Sequence, residues 1–419
     1  MRRTKRSGSI FVISLVVLAG LVSVLALAAA SQNAANKAQI RRMEGRKARV
    51  IAEAAIQRAL AELQDQVNSP TTVNDDWSQL GQIGGEAFEL GNASFRVQII
   101  DAASKVNLNT ATQAQLELLP LDPEQVDAIL DWREASTAPR PDGGKDEYYN
   151  QLENPYNAKL GLFQSVDELL LVKGITARDL YTVRTDIERT NQPTRTSSGE
   201  QVELPLEELL TVDSVSQAVN AAGQAKLNLN TVNQWQQIVG RAQVNQQVAQ
   251  AIINLRPGGG YTNIGQVLAT PGITLASAPA ILNNCTTGGQ NQPGKINLNT
   301  VTEEILLTIP NLPPDVASAI VTRQSTGFTE LGELTDIPGM NNLALLQQTA
   351  GFFEVNSQSF VVRVVGRSGT TQVALQATVA LLDGAPKIVR IEESPYTNVI
   401  DVWGWEAEPV ATTTLKGAQ

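Results

Sequence analysis

The hydrophobic pattern divides the chain into an apolar beginning, a helical middle and a strand-rich end. Residues 9–30 are uncharged and mainly apolar, and their number is about that of a helix crossing a bilayer core. From Ile40 to Leu63, apolar residues recur near helical spacing among charged ones, and the first proline is Pro70. The pattern predicts one long helix with an apolar first part and an amphipathic second part.

Strand-like alternation occurs at residues 95–99, 360–365 and 373–381, and the polar residues 366–371 are predicted to form a turn. Between the first strand and the other two lie about 250 residues of helical repeats, too many for an ordinary loop. The predicted fold class is therefore α+β. It combines a long N-terminal helix, a small antiparallel sheet and a large inserted all-α domain.

Three stretches of the helical middle repeat one pattern. Each opens with Asn-Leu-Asn-Thr and continues to an aromatic residue: 107–110 to Phe163, 228–231 to Tyr261, and 297–300 to Phe328. A glycine turn follows each aromatic residue. This self-similarity predicts duplicated supersecondary units. The distance from opening to aromatic is longest in the first unit, which therefore carries an insertion around residues 131–156.

These patterns give a predicted domain organisation. It consists of a basic leader (1–8), the apolar part of the helix (9–30), its polar part (31–68), the first strands (69–105), unit 1 with its insertion (106–190), a linker (191–225), unit 2 (226–285), unit 3 (286–350) and the C-terminal strands (351–419).

Composition excludes several functions. The formal net charge is −10, which discourages nonspecific binding to nucleic acids. The sequence contains no histidine and one cysteine, Cys285, so a histidine-based catalytic triad, an internal disulfide and the usual zinc ligand sets are excluded. Phosphate-loop, dinucleotide and nucleophile-elbow motifs are not found. We predict a protein that is not an enzyme and has no small-molecule substrate.

The N-terminus resembles that of type IV pilin-like proteins. A basic leader ends at Gly8, and the long apolar helix begins at Ser9. The resemblance implies that a prepilin peptidase cuts between Gly8 and Ser9. The fifth mature residue would be Ile13, where the family usually has glutamate. That departure resembles one minor pseudopilin, the K subunit of type II secretion.

Two other readings of the N-terminus stay open. Small residues at 28–31 are compatible with signal-peptidase cleavage after Ala30, and the segment could equally be an uncleaved anchor. Charge does not settle the orientation, because the six basic residues at positions 37–49 outnumber the four in the leader.

The insertion in unit 1, continuing to Leu169, also resembles the K pseudopilin. The departures are the added repeat material at 226–345 and the lack of a cysteine pair. The resemblance implies a tip subunit that caps or initiates the periplasmic pseudopilus, together with other minor pseudopilins. It also implies a single-pass protein of the bacterial inner membrane, with most of the chain in the periplasm.

Members of that group bind calcium in the inserted domain, so calcium is a candidate cofactor. Hard cations prefer several oxygen ligands on a flexible loop. The candidate ligands are Asp131, Glu134, Asp142, Asp146 and Glu147. The alternative is a solvated acidic turn.

The repeats are similar to the helix-hairpin-helix motifs of competence-protein DNA receptors. DNA-binding hairpins carry glycines whose backbone amides approach phosphate. The corresponding turns here are 121–123, 240–242 and 311–313, where Asp122 would repel phosphate and Pro123 and Pro313 have no amide hydrogen. We therefore predict no DNA-binding residue and favour a protein–protein scaffold. The alternative function is a membrane-anchored DNA-binding receptor of the competence type.

Overall fold

The computed structural model describes residues 8–66, 70–183, 204–382, 384–394, 398–407 and 409–415. It confirms the α+β class: one long N-terminal helix, a mixed sheet and many short helices. The strands are β1 (Glu86–Leu90), β2 (Ala93–Asp101), β3 (Val106–Asn107), β4 (Leu210–Thr211), β5 (Val215–Gln217), β6 (Leu227–Asn228), β7 (Cys285–Thr286), β8 (Asn291–Pro293), β9 (Ile296–Asn297), β10 (Phe353–Glu354), β11 (Ser359–Ser368), β12 (Thr371–Leu382), β13 (Ala385–Glu393) and β14 (Ala411–Thr414).

The helices are α1 (Gly8–Leu63), α2 (Asp76–Gln79), α3 (Gln113–Leu116), α4 (Pro123–Arg133), α5 (Asp146–Tyr149), α6 (Ala177–Tyr181), α7 (Leu206–Leu209), α8 (Trp235–Ala242), α9 (Gln246–Asn254), α10 (Ile264–Leu268), α11 (Ala278–Asn284), α12 (Glu303–Leu306), α13 (Pro314–Arg323), α14 (Leu343–Thr349) and α15 (Val399–Val402). Short 3₁₀ turns lie at Val166–Leu171, Leu275–Ser277 and Leu331–Asp336, among others.

Helix α1 is continuous, as its period predicts, but only its C-terminal part contacts the folded body. Residues 11–42 are exposed throughout. Beyond them, Ala48, Ala52, Ala55 and Ala59 are fully buried against β2, β11 and β12. Small side chains at helical spacing let the helix backbone come close to the sheet. The sheet allows the same approach at Gly366, where an added Cβ would lie 2.1 Å from the carbonyl oxygen of Ala48.

The main sheet has six strands in the order β13-β12-β11-β2-β1-β14. Neighbouring strands from β13 to β1 are antiparallel, which confirms that part of the prediction. Strand β14 pairs parallel to β1, so the complete sheet is mixed. The predicted turn at 366–371 is shorter than expected, because the β11–β12 ladder continues to the Ser368–Thr371 pair.

The helical region is an insertion between two neighbouring strands. Asp101, the last residue of β2, lies opposite Phe360 near the start of β11, so the chain leaves and re-enters the sheet at one place. The sequence predicts an all-α insertion. The structure corrects this, because β3 to β10 lie within the insertion as short paired strands. Residues 191–203 of the predicted linker 191–225 lie outside the described part. The rest of that segment contains α7, β4, β5 and an isolated β-bridge just before β6.

Candidate functional site: repeat units, acidic loop and anchor helix

The opening motif of each repeat holds the aromatic residue of that repeat. The side-chain amide of Asn299 accepts from the N–H of Phe328 at 2.6 Å and donates to its carbonyl at 2.9 Å. Asn230 makes the same two bonds to Tyr261, at 2.7 and 2.9 Å. In unit 1, Asn109 does so with Phe163 at 2.7 and 3.0 Å. An asparagine supplies both the donor and the acceptor that this backbone position requires.

The first asparagine of each motif shapes the opening turn. The side-chain oxygens of Asn107, Asn228 and Asn297 accept from the N–H two residues later, at 2.9, 2.9 and 3.1 Å. Such a local turn is a common role of asparagine. The two asparagines of the motif therefore have separate structural roles.

A parallel two-strand pair closes each unit. The opening strands β3, β6 and β9 pair with β4, β7 and β10, which follow the last helix of each unit. Unit 1 therefore ends at Thr211, within the segment that the sequence assigns to the linker.

The end of the second helix in each unit is fixed to the opening loop. Arg133 donates to the carbonyls of Leu108 and Ala111, and Gln324 donates to those of Leu298 and Val301 at 2.8 and 2.7 Å. In unit 2, the equivalent donor is Arg256, to Val232. These contacts explain the repeat motif through folding alone. The similarity of the motif to DNA receptors therefore needs no phosphate contact to account for it.

The candidate calcium ligands of unit 1 do not converge. Asp131 is fully buried, and its carboxylate accepts from the backbone N–H and the guanidinium of Arg140, both at 3.0 Å. Arg140 also bonds Glu134 at 2.8 Å, and this hydrogen bond holds the pKa of Glu134 below its ordinary value. The Lys145 ammonium lies 4.0 Å from Asp131. Arg140 and Lys145 are thus the partners of the Asp131 and Glu134 carboxylates.

The other three candidates lie apart from that pair. Asp146 accepts from the N–H of Ala158 at 2.8 Å, whereas Asp142 and Glu147 are exposed. Gly143 is needed because an added Cβ would lie 2.0 Å from the Asp131 carboxylate. Among the described residues, no group of three or more acidic or cysteine side chains is arranged to hold a metal ion. The observed arrangement does not fit a calcium site, and calcium binding stays a prediction.

An ion-pair cluster that the sequence analysis missed joins unit 1 to the sheet. Glu208 of α7 pairs with Lys105 at 3.2 Å and with Arg363 of β11. Burial alone raises the pKa of Glu208, but attraction by Lys105 and Arg363 outweighs it and lowers that pKa to about 2. Glu208 lies in the predicted linker, where no sequence motif distinguished it from the other acidic residues.

The predicted processing site lies at the first described residues of the N-terminal helix. Gly8 and Ser9 both lie within α1. Among the described residues, α1 is the one helix long and apolar enough to cross a membrane, a test that a signal sequence also passes. Ile13 is 59% exposed. The predicted single membrane anchor is therefore supported, while cleavage after Gly8 remains a prediction.

Comparisons with known proteins found similarities in sequence and in fold. Residues 97–185 match the family model described as Type II secretion system (T2SS), protein K. The fold is similar to a chain in the crystal structure of the GspK-GspI-GspJ complex from the enterotoxigenic Escherichia coli type 2 secretion system. That similarity has 13% identity and a TM-score of 0.43, and it covers 85% of this chain and 98% of the other. No curated protein matches the sequence.

A long apolar helix continued onto a sheet, with a helical region inserted between neighbouring strands, defines a pilin-like α+β protein. The family match runs from within β2, through the acidic loop, to just beyond α6. Over these residues the chain matches the type II secretion system protein K family, in agreement with the predicted family. This supports a minor pseudopilin role.

Proposed function

We propose that the protein is a minor pseudopilin that caps or initiates the pseudopilus as its tip subunit. The family match over residues 97–185 carries this proposal. It coincides with the acidic insertion and with the place where the helical region leaves the sheet. The apolar part of α1, which contacts no other described element, supplies the membrane anchor.

Position 13 supports placement at the tip. In pilin-like proteins, the usual glutamate at that mature position pairs with the N-terminal amine of a neighbouring subunit. Ile13 provides no carboxylate, so a neighbour's amine buried beside it would be uncompensated. The inserted units also widen the body beyond the sheet and obstruct a subunit stacked above it. Both features favour a position at the filament tip, where no further subunit is stacked on this one.

The proposed location is the bacterial inner membrane, with a single pass and most of the chain in the periplasm. Prepilin peptidase would cut between Gly8 and Ser9, and the partners would be other minor pseudopilins. The role is structural and not enzymatic. The three repeat units, which share one hydrophobic core, serve as a protein–protein scaffold. Calcium remains a candidate ligand of the acidic loop, on condition that Arg140 releases Asp131 and Glu134.

Co-expression of the full-length protein with the other minor pseudopilins of its organism tests this function. We expect a stable complex in detergent by size-exclusion chromatography, and antibody labelling at filament ends only. Labelling along filaments would contradict the tip position. An Ile13→Glu variant that entered the shaft would show that the inserted units are not the obstacle.

A further inference from the structure

A basic collar follows the apolar part of α1. Its members are Lys37, Arg41, Arg42, Arg46 and Lys47. All five side chains are exposed, and within the described part of the chain none forms an ion pair. The rest of the protein is strongly acidic, since the whole chain has a formal charge of −10. Outside the basic leader, this concentration of positive charge is therefore local to one stretch of helix.

The collar differs from the helix that follows it. Farther along α1, Arg49 pairs with Glu53 at 3.1 Å, and Arg58 pairs with Glu62. The one acid inside the collar, Glu44, lies near the hydroxyls of the β11–β12 turn, with Thr371 at 3.4 Å. The collar cations are thus left without a carboxylate partner.

Spacing within the collar is unfavourable for an isolated helix. Lys37 and Arg41 are four residues apart, as are Arg42 and Arg46, so like charges face one another on neighbouring turns. Such pairs weaken a helix, and an external anion removes the repulsion. The collar is therefore a surface that gains stability from negative charge supplied by another molecule.

The collar lies between the apolar segment and the folded body. At 1.5 Å per residue, Lys37 follows Ala30 by about 10 Å and Lys47 by about 26 Å. The headgroup layer extends roughly 5–8 Å beyond the bilayer core, and long basic side chains can reach back toward it. Exposed Arg367, beside the β11–β12 turn that contacts Glu44, adds a cation at the same end of the body.

We propose that the membrane-proximal part of the basic collar, Lys37, Arg41 and Arg42, binds the anionic headgroups of phospholipids in the leaflet that faces the folded body. This rests on the membrane anchor of the proposed function and deepens it. Lys and Arg next to a span attract acidic lipids, and the attraction is screened within a Debye length. The contact fixes the depth of α1 and holds the body close to the membrane before assembly. It also gives the excess of cations after the span a role other than orientation.

The test uses the full-length protein in phosphatidylcholine vesicles that carry a small amount of spin-labelled lipid. The immobilised fraction of spin-labelled phosphatidylglycerol, compared with that of spin-labelled phosphatidylcholine, measures the relative association of the two lipids with the protein. We expect a preference of roughly fivefold for phosphatidylglycerol at low salt, which decreases in high salt. The variant Lys37→Gln/Arg41→Gln/Arg42→Gln should bring the two lipids toward equal association.

A matched control removes the same charge at distant exposed sites, as Arg58→Gln/Arg178→Gln/Lys387→Gln, and should keep the preference. Wild-type protein that floats with the vesicles but shows no preference overturns the collar proposal alone. Protein that fails to float overturns the membrane anchor and the collar proposal with it. A low-salt shift of duplex DNA that the collar variant abolishes, with lipid preference unchanged, would assign the collar to nucleic acid and overturn the proposal.

Discussion

The side chain of Asn299 brackets the backbone of Phe328, accepting from its N–H at 2.6 Å and donating to its carbonyl at 2.9 Å. Both residues are fully buried. The bracket joins the start of unit 3 to its second half across 29 positions of sequence. Because units 1 and 2 contain the same bracket, a short polar motif recurs at long distances from its aromatic partner.

Replacing Asn299 with alanine should lower the free energy of unfolding by about 2–3 kcal/mol, because two buried backbone groups lose their partners. Asn109→Ala should have a smaller effect, since Asn109 is partly exposed and water can replace the amide. Urea unfolding of the full-length protein in detergent measures both. Exposed Asn92→Ala is the control. Equal losses of unfolding free energy in all three variants would contradict the stabilising role of the two asparagine–backbone hydrogen bonds.

The sequence predicts this recurrence but not its cause. The Asn-Leu-Asn-Thr motif identifies three units in the sequence. The parallel strand pairs that close these units, however, are only two residues long. A hydrophobic period cannot be recognised in so short a strand. The same limit applies to β14, whose pairing to β1 depends on a contact between distant segments. Long periodic elements such as α1, β11 and β12 were predictable because each presents many positions to one core.

The acidic loop shows a second limit of sequence reasoning. Five acidic residues near two glycines satisfy the composition of a cation site. The sequence does not show that Arg140 and Lys145 fold back onto Asp131. Long basic side chains reach partners that spacing alone cannot identify. For the same reason, Glu208 could not be distinguished before Arg363 was placed beside it.

Gly366→Ala should separate α1 from the sheet. The new Cβ would lie 2.1 Å from the carbonyl oxygen of Ala48 and 2.8 Å from the nitrogen of Ala52, so the helix must move. We expect a loss of about 3 kcal/mol in the free energy of unfolding. Gly258→Ala is the control, because its Cβ would meet no atom within 4 Å. Unchanged stability in the first variant would mean that α1 does not pack on β11 as described.

Glu208→Gln should destabilise the protein by about 3 kcal/mol at pH 7, because Lys105 and Arg363 then lose their buried counter-charge. The pKa of Glu208 is lowered from 4.5 to about 2 by these cations, against the effect of burial. Its stabilising contribution is therefore complete above pH 4.5 and is lost as the pH falls toward 2.

The difference between wild type and Glu208→Gln should consequently narrow from pH 5 to pH 3, which urea unfolding at a series of pH values measures. Glu406→Gln, at an exposed position, should match wild type throughout. A difference that stayed constant across this range would show that Glu208 acts through packing and not through its charge.

Arg140→Met should increase the response of the protein to calcium. If Asp131 and Glu134 bind calcium, the ion must compete in the wild type with the Arg140 guanidinium, which bonds both carboxylates. Thermal unfolding of the full-length protein with and without calcium gives the readout. We expect a larger calcium-dependent rise in Tm for the variant than for wild type. Indifference of both proteins to calcium would exclude a calcium site built on these two residues.

The central claim is tested most directly by the N-terminus of the mature protein, determined by mass spectrometry on native membranes. A pseudopilin should begin at Ser9 after cleavage behind Gly8, and its N-terminal amine should be methylated. A chain that retained Met1 would indicate a plain anchor. A chain beginning at Ser31 would mean a protein released from the membrane. Either of these would contradict a pseudopilin at the filament tip.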